Sequence, residues 1–457
     1  MTHPLRLTSA RMIDGTGAPP LEDVSVVIEN GRIGGIDSGG APRAEDAAQI
    51  DLGGRTLMPG LVDAHVHVTA FDMPRALKGQ EPIAPEVRHH LIAAGLERML
   101  RMGITTVRDV GAFGDGLLHA RQAVRLGAIP GPRVLACGRI VSATSAGGRH
   151  FEGMYREADG PDEVRKATRE QFRRGADFIK LMTTGARSCE LENSSPAQMT
   201  RAEIAAVVDE AHRMGYRVAA HCEGLEGTRI AIEVGVDTIE HGLELHRAPE
   251  LLEELARSER VLVPTLSCFF NISENEASCW PGGLVELAER QLDEAHRTVE
   301  AASAAGVRLA MGFDSQPHGR SALELVRLCH AGLTPMEGIR AATATSAAAC
   351  GLADHVGTIE RGKAADLLVV DGDPLADPEL LLDDERIWLV IQAGRPVAGT
   401  ALESPLAGVG RGAPGLTADP VPALAGRPMS PTGLATDPRP RPPAGPTRGS
   451  AVPTSPP

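Results

Sequence analysis

The chain is nearly devoid of lysine. Of its 46 basic residues only Lys78, Lys166, Lys180 and Lys363 are lysines, and arginine supplies the rest, as a GC-rich genome would dictate. Positive charge is in deficit overall: 60 acidic residues give a net charge of -14, which argues against a nucleic-acid partner. No apolar run reaches the length of a membrane span, so no membrane partner is expected. The opening Met1-Thr-His-Pro-Leu-Arg-Leu lacks the apolar core of a secretory signal. Seven cysteines, an odd number without a CxxC pair, run from Cys137 to Cys350 and predict reduced, mostly buried thiols in a cytoplasmic protein.

With these classes set aside, 457 residues and 42% hydrophobic content suit one large domain with an accessory unit. Residues 1–56 read as β-rich, with Val24-Ser-Val-Val-Ile28 followed by the hairpin signal Asn30-Gly31. From 57 to 350, short apolar runs alternate with amphipathic helices, the pattern of a parallel sheet. The predicted strands are Leu61–His67, Thr105–Val110, Val134–Ile140, Phe178–Met182, Val218–His221, Thr238–His241, Val261–Leu266 and Leu309–Asp314. Eight strands in a βα series predict a (β/α)8 TIM barrel. Between them, Thr200-Arg-Ala-Glu203 and Thr334-Pro-Met-Glu337 are capping boxes that start helices. Residues 351–403 turn β-rich again and are expected to join residues 1–56 in a small β-sandwich built from both chain ends. The stretch 404–457 holds 14 of the 34 prolines and is expected to be disordered.

The chemistry sits at the ends of the predicted strands. His65 and His67 are two apart, so on a strand both imidazoles share a face. An isolated HxH pair is more often solvated or bonded to carbonyls, but four further runs each deliver one more donor: Lys180, His221, His241 and Asp314. Catalytic residues of a barrel lie at the C-terminal ends of its strands, where these fall. Lys180 has two readings: a buried ammonium paired with a carboxylate, or an amine that has taken up carbon dioxide as a carbamate. Arginine, always protonated, could not do the second. In line with the other donors, the carbamate is favoured, bridging two divalent ions. His65, His67 and Asp314 would hold one ion, and His221 and His241 the other. Nitrogen and oxygen donors suit zinc, with manganese or iron as alternatives. A bridging water would be the nucleophile, and Asp314 the catalytic general base and then acid.

These pieces together resemble the amidohydrolase superfamily over roughly residues 5–400. The matching motifs are Met-Pro-Gly-Leu-Val-Asp-Ala-His65-Val-His67, Ile179-Lys180-Leu-Met, Ala-Ala-His221, Ile-Glu-His241-Gly, Gly-Phe-Asp314 and the late Gly-Lys-Ala-Ala-Asp-Leu. Gly131-Pro-Arg-Val-Leu-Ala-Cys-Gly-Arg and Gly147-Gly-Arg-His150 resemble its prolidase-like branch of Xaa-Pro and Xaa-Arg dipeptidases, with a carboxylated lysine and two zinc ions. The resemblance implies hydrolysis of an amide-type bond in a dipeptide or N-acyl amino acid, with His150 near the substrate carbonyl or carboxylate. Where relatives often carry tyrosine or histidine after the fifth-strand histidine, this chain has Cys222-Glu223-Gly224. Glu223 is either a contact for a cationic substrate or a loop carboxylate facing water, and Cys222 a small buried neighbour. A cyclic-amide hydrolase (imidazolone- or hydantoin-like) remains an alternative within the class. A mononuclear deaminase would lack the lysine and carry glutamate at position 224, and a non-catalytic scaffold would have lost ligands. The substrate is a small molecule, and homo-oligomerisation is left open.

Overall fold

The computed structural model describes residues 4–38, 48–70, 84–186, 191–270 and 282–403. The proline-rich stretch 404–457 lies outside them. Both chain ends meet in one eight-stranded sheet. Leu5–Met12, Leu21–Glu29, Arg32–Ser38, Ala48–Asp51 and Thr56–Pro59 come from the start, and Leu367–Val370, Ile387–Gln392 and Arg395–Ala398 from the end. Asn30 and Gly31 both take positive φ (50° and 76°), the backbone of a tight hairpin turn, as the dipeptide predicts. The ends are stitched where Thr56–Pro59 runs antiparallel to Leu367–Val370. Leu7, Val26, Leu57, Leu367, Val369 and Leu389 bury one face of this sheet completely or nearly so.

The middle of the chain is α/β with parallel strands. Leu61–Val66, Ile104–Asp109 and Arg133–Ala136 form one sheet. Ile140–Ser142, Tyr155–Glu157, Ile179–Met182, Val218–Cys222, Thr238–His241, Val261–Val263 and Arg308–Leu309 form a second. Backbone hydrogen bonds tie both edges of the first sheet to segments flanking strands of the second: Asp177 N–H to Ala136 O (2.8 Å), and Ala64 N–H to Met311 O (2.9 Å). The helix Arg201–Arg213 starts at Thr200 with both halves of the capping box made, and Pro335–Arg340 does the same at Thr334. No helix among the described residues is long and apolar enough to cross a membrane.

Three predicted strands end or break differently. Val134–Ile140 is two strands, because Gly138 takes φ 74° and a Cβ there would meet Gln171 Oε1 at 2.9 Å. Val261–Leu266 stops at Val263: Thr265 turns into the left-handed region and a short helix, Leu266–Phe270, follows. Of Leu309–Asp314 only Leu309 stays on a strand. The Met311 N–H turns aside to Ala341 O, and Asp314 sits at φ 40°. The last two departures place site residues on strained, strand-ending turns.

Candidate metal centre

His65 closes the strand Leu61–Val66 and is 1% exposed, with His67 just beyond it. Each ring is held by Nδ1. His65 Nδ1–H donates to Glu240 Oε2 (2.7 Å), and His67 Nδ1–H donates to Gly111 O (2.8 Å). That fixes the tautomer and turns both Nε2 atoms toward Asp314, 3.7 Å from Oδ2 and 3.8 Å from Oδ1. These spacings are too long for hydrogen bonds and suit three donors around one cation. The three ligand atoms lie within 4.8 Å of one another.

Asp314 is placed by its backbone, whose N–H donates to His65 O (2.9 Å). Fully buried Asp63 reinforces this: its Oδ1 accepts from His65 N and from Phe313 N, both at 3.1 Å. Burial pushes the Asp63 carboxyl up to about 6.

His221 and His241 stand beside these donors, and His241 has a ligand atom within 4.8 Å of one of Asp314. Their ring centroids are 4.6 Å apart, and His241 lies 5.1 Å from His65. His241 is at φ 69°, with Nδ1 2.7 Å from Thr265 Oγ1. His221 is turned the other way. Its Nε2–H donates to Gly185 O (3.1 Å).

Lys180 pairs with Ala219 in register, two residues before the Met182–His221 pair, so it rises from a layer beneath the histidines. It is 2% exposed, and its Nζ has no hydrogen-bond partner among the described residues. Burial lowers its pKa, Glu240 and Asp314 pull it back up, and Arg108 lowers it further. Burial also drives His65 well below its usual value, helped by the positive charge of Lys180. His67 is lowered mainly by burial. Neutral imidazole is the ligating form, and a neutral amine is the form that reacts with carbon dioxide. An orphaned buried amine, four imidazoles fixed by their second nitrogen, and a carboxylate therefore fit a divalent metal ion.

Of the two predicted substrate contacts, Glu223 is 1% exposed, so the reading of a carboxylate facing water is corrected. It is enclosed behind His221, with Oε1 3.6 Å from Nε2. His150 is exposed at the end of the short helix Ala146–His150, its ring edge-on to Phe151. Cys222 is fully buried with Sγ 3.4 Å from Thr183 Oγ1, and burial pushes the thiol up to about 12, so it stays protonated.

The sequence pattern does not reveal the supports. Glu240 bonds His65 and also pairs with Arg108 Nη2 at 2.8 Å. Arg108 in turn donates Nε–H to Ala64 O (2.6 Å) on the HxH strand. Thr265 and Asp63 are likewise absent from the predicted site. The available signal was a charged residue inside an apolar strand run, as in Leu-Val-Asp63-Ala and Thr-Ile-Glu240-His.

This parallel α/β fold gathers four histidines and an aspartate at the ends of its strands, above a buried lysine. The Amidohydrolase family model matches residues 56–397, and the chain belongs to that family. It is 30% identical to ochratoxinase of Aspergillus niger over 381 residues, 76% of each chain. Imidazolonepropionase of Sphingopyxis alaskensis is 28% identical over 411 residues, covering 81% of this chain and 92% of its own. Among solved structures, a Xaa-Pro dipeptidase with bound methionine superposes at TM-score 0.78 with 30% identity, covering 87% of this chain and 100% of that one.

Proposed function

We propose that the protein is a two-metal amidohydrolase that cleaves the amide bond of a dipeptide or N-acyl amino acid. The observation that carries this reading is Lys180: a buried amine with no hydrogen-bond partner among the described residues, on a strand layer beneath the histidines. A carbamate on Nζ would give it two oxygens, one for each of two ions. His65, His67 and Asp314 would hold one ion; His221 and His241 would hold the other. The ions, zinc or in its place manganese or iron, would supply an ionised water near neutral pH and polarise the scissile carbonyl.

The protein's own residues do the rest. Asp314 takes the proton of the attacking water and returns it to the leaving amine, a role suited to a carboxylate fixed by its backbone bond to the HxH strand. Glu240 and Arg108 hold His65, Thr265 holds His241, and Gly185 O holds His221. We assign His150 to a carbonyl or carboxylate of the substrate, and Glu223 to a cationic group that reaches as far as His221, behind which its carboxylate is enclosed. The dipeptidase and ochratoxinase likenesses support amide cleavage. The hydrogen bonds that tie both edges of the three-stranded parallel sheet to the second sheet support a single (β/α)8 barrel over 57–350. Residues 1–56 and 351–403 would form the sandwich-like accessory domain. The scattered cysteines, of which Cys137, Cys222, Cys268, Cys329 and Cys350 form no disulfide among the described residues, favour a cytoplasmic location.

The imidazolonepropionase likeness favours one second reading, hydrolysis of a cyclic amide on the same centre. Turnover by zinc-loaded protein, assayed across dipeptides, N-acyl amino acids and cyclic amides, separates the two. Ammonia release from aminated heterocycles exceeding all amide cleavage would overturn both.

A further inference from the structure

The predicted ligand set contains no sulfur, yet a thiol stands inside the centre. Ligand atoms of His241, Cys268 and Asp314 lie within 4.8 Å of one another, and Asp314 also belongs to the His65–His67 group. Two three-residue clusters thus meet at one carboxylate.

Cys268 is 7% exposed and rigidly placed. Thr265 turns the chain at φ 51°, and buried Glu324 accepts the next two backbone N–H groups, Leu266 and Ser267, each at 2.7 Å. The thiol donates to Thr265 O (2.9 Å), and its Sγ is 3.5 Å from Thr265 Oγ1. That same hydroxyl is 2.7 Å from His241 Nδ1, so one threonine holds both thiol and imidazole. Lys180 points separately to a bound group in this centre: on a strand layer beneath the histidines, its buried Nζ has no hydrogen-bond partner among the described residues.

We infer that Cys268 supplies a sulfur ligand to the ion held by His241, so that this half of the centre selects thiophilic divalent cations such as zinc or cadmium over manganese. The inference rests on the two-metal reading above. On coordination the S–H bond breaks, its proton leaves to solvent, and the sulfur lone pair enters the metal–sulfur bond at about 2.3 Å for zinc. Nothing is oxidised or reduced. Thiolate favours zinc and cadmium, whereas manganese prefers oxygen.

The full-length protein, stripped and reloaded with cobalt(II), gives the test. Metal analysis should find about two ions per chain, with a sulfur-to-cobalt charge-transfer band in the near ultraviolet. Cys268→Ser should bind cobalt but lose the band, whereas Cys222→Ser should keep it. In cadmium–manganese competition, Cys268→Ser should lose about tenfold or more of the cadmium preference. Cys268→Ala, checked by its melting curve, covers the case in which serine misfolds. Two bound ions without the band in the wild type, or a band that survives in Cys268→Ser, would overturn the assignment and leave the two-metal reading standing. Failure of the wild type to bind metal would remove both.

Discussion

Replacing Glu240 with alanine strands three groups at once. Its Oε2 accepts from His65 Nδ1 (2.7 Å), while Oε1 accepts from Arg108 Nη2 (2.8 Å) and Thr238 Oγ1 (2.5 Å). Glu240 is 0% and Arg108 2% exposed, so water cannot fill the gap without rearrangement. Deleting one partner of a buried ion pair costs about 3–5 kcal/mol, because the other charge stays buried. Against a total stability of about 5–15 kcal/mol, that is a large share, and Glu240→Ala should yield little folded protein. Glu240→Gln separates folding from ligation. Its one carbonyl oxygen serves either His65 or Arg108, and its amide group confronts the other donor. Stability should fall by about 1–3 kcal/mol, and metal affinity by about 10–100-fold, as expected when the partner that orients a ligating histidine is lost. Denaturant unfolding measures the first quantity, and competition with a chromophoric chelator the second. A Glu240→Ala protein as stable as wild type, or a Glu240→Gln protein binding metal equally tightly, would refute the argument.

Asp314→Asn keeps a ligating oxygen but cannot take a proton, so kcat should drop by about 10²–10⁴-fold with a much smaller loss of bound metal; equal turnover would reject the acid–base role. Lys180→Ala should lose metal and activity, with partial recovery when short carboxylic acids are added; full activity and metal content without them would exclude a bridging carbamate. His150→Ala should chiefly raise KM, and more for carboxylate substrates than for their amides; equal effects on both would remove it from substrate binding. Burial raises Glu324 from 4.5 to about 7, so between those pH values the folded chain keeps a proton that the unfolded chain has released. Its contribution is present below pH 4.5 and lost as pH rises to about 7, a fall of about 3 kcal/mol that Glu324→Gln should abolish. Parallel unfolding profiles for variant and wild type over that range would count against it.

Residues whose chemistry is written into a local pattern are legible in the amino-acid sequence alone. The Asn30-Gly31 hairpin, the capping boxes at Thr200 and Thr334, and the donors His65, His67, Lys180, His221, His241 and Asp314 each depend on neighbours within a few positions. Their gathering is a consequence of parallel strands, which bring successive C-terminal ends to one edge. Tertiary structure alone decided the rest. Glu240 reaches His65 across 175 positions and Arg108 across 132, and no periodicity encodes such a pairing. Thr265 falls at the end of a predicted strand, yet a left-handed turn, fixed by a carboxylate from a distant helix, carries it and Cys268 toward His241. Glu223 has the sequence surroundings of a loop acid, and only the packing of the strand ends encloses it. Backbone periodicity announces the candidate ligands; what orients each of them comes from chain segments that only packing brings within hydrogen-bond reach.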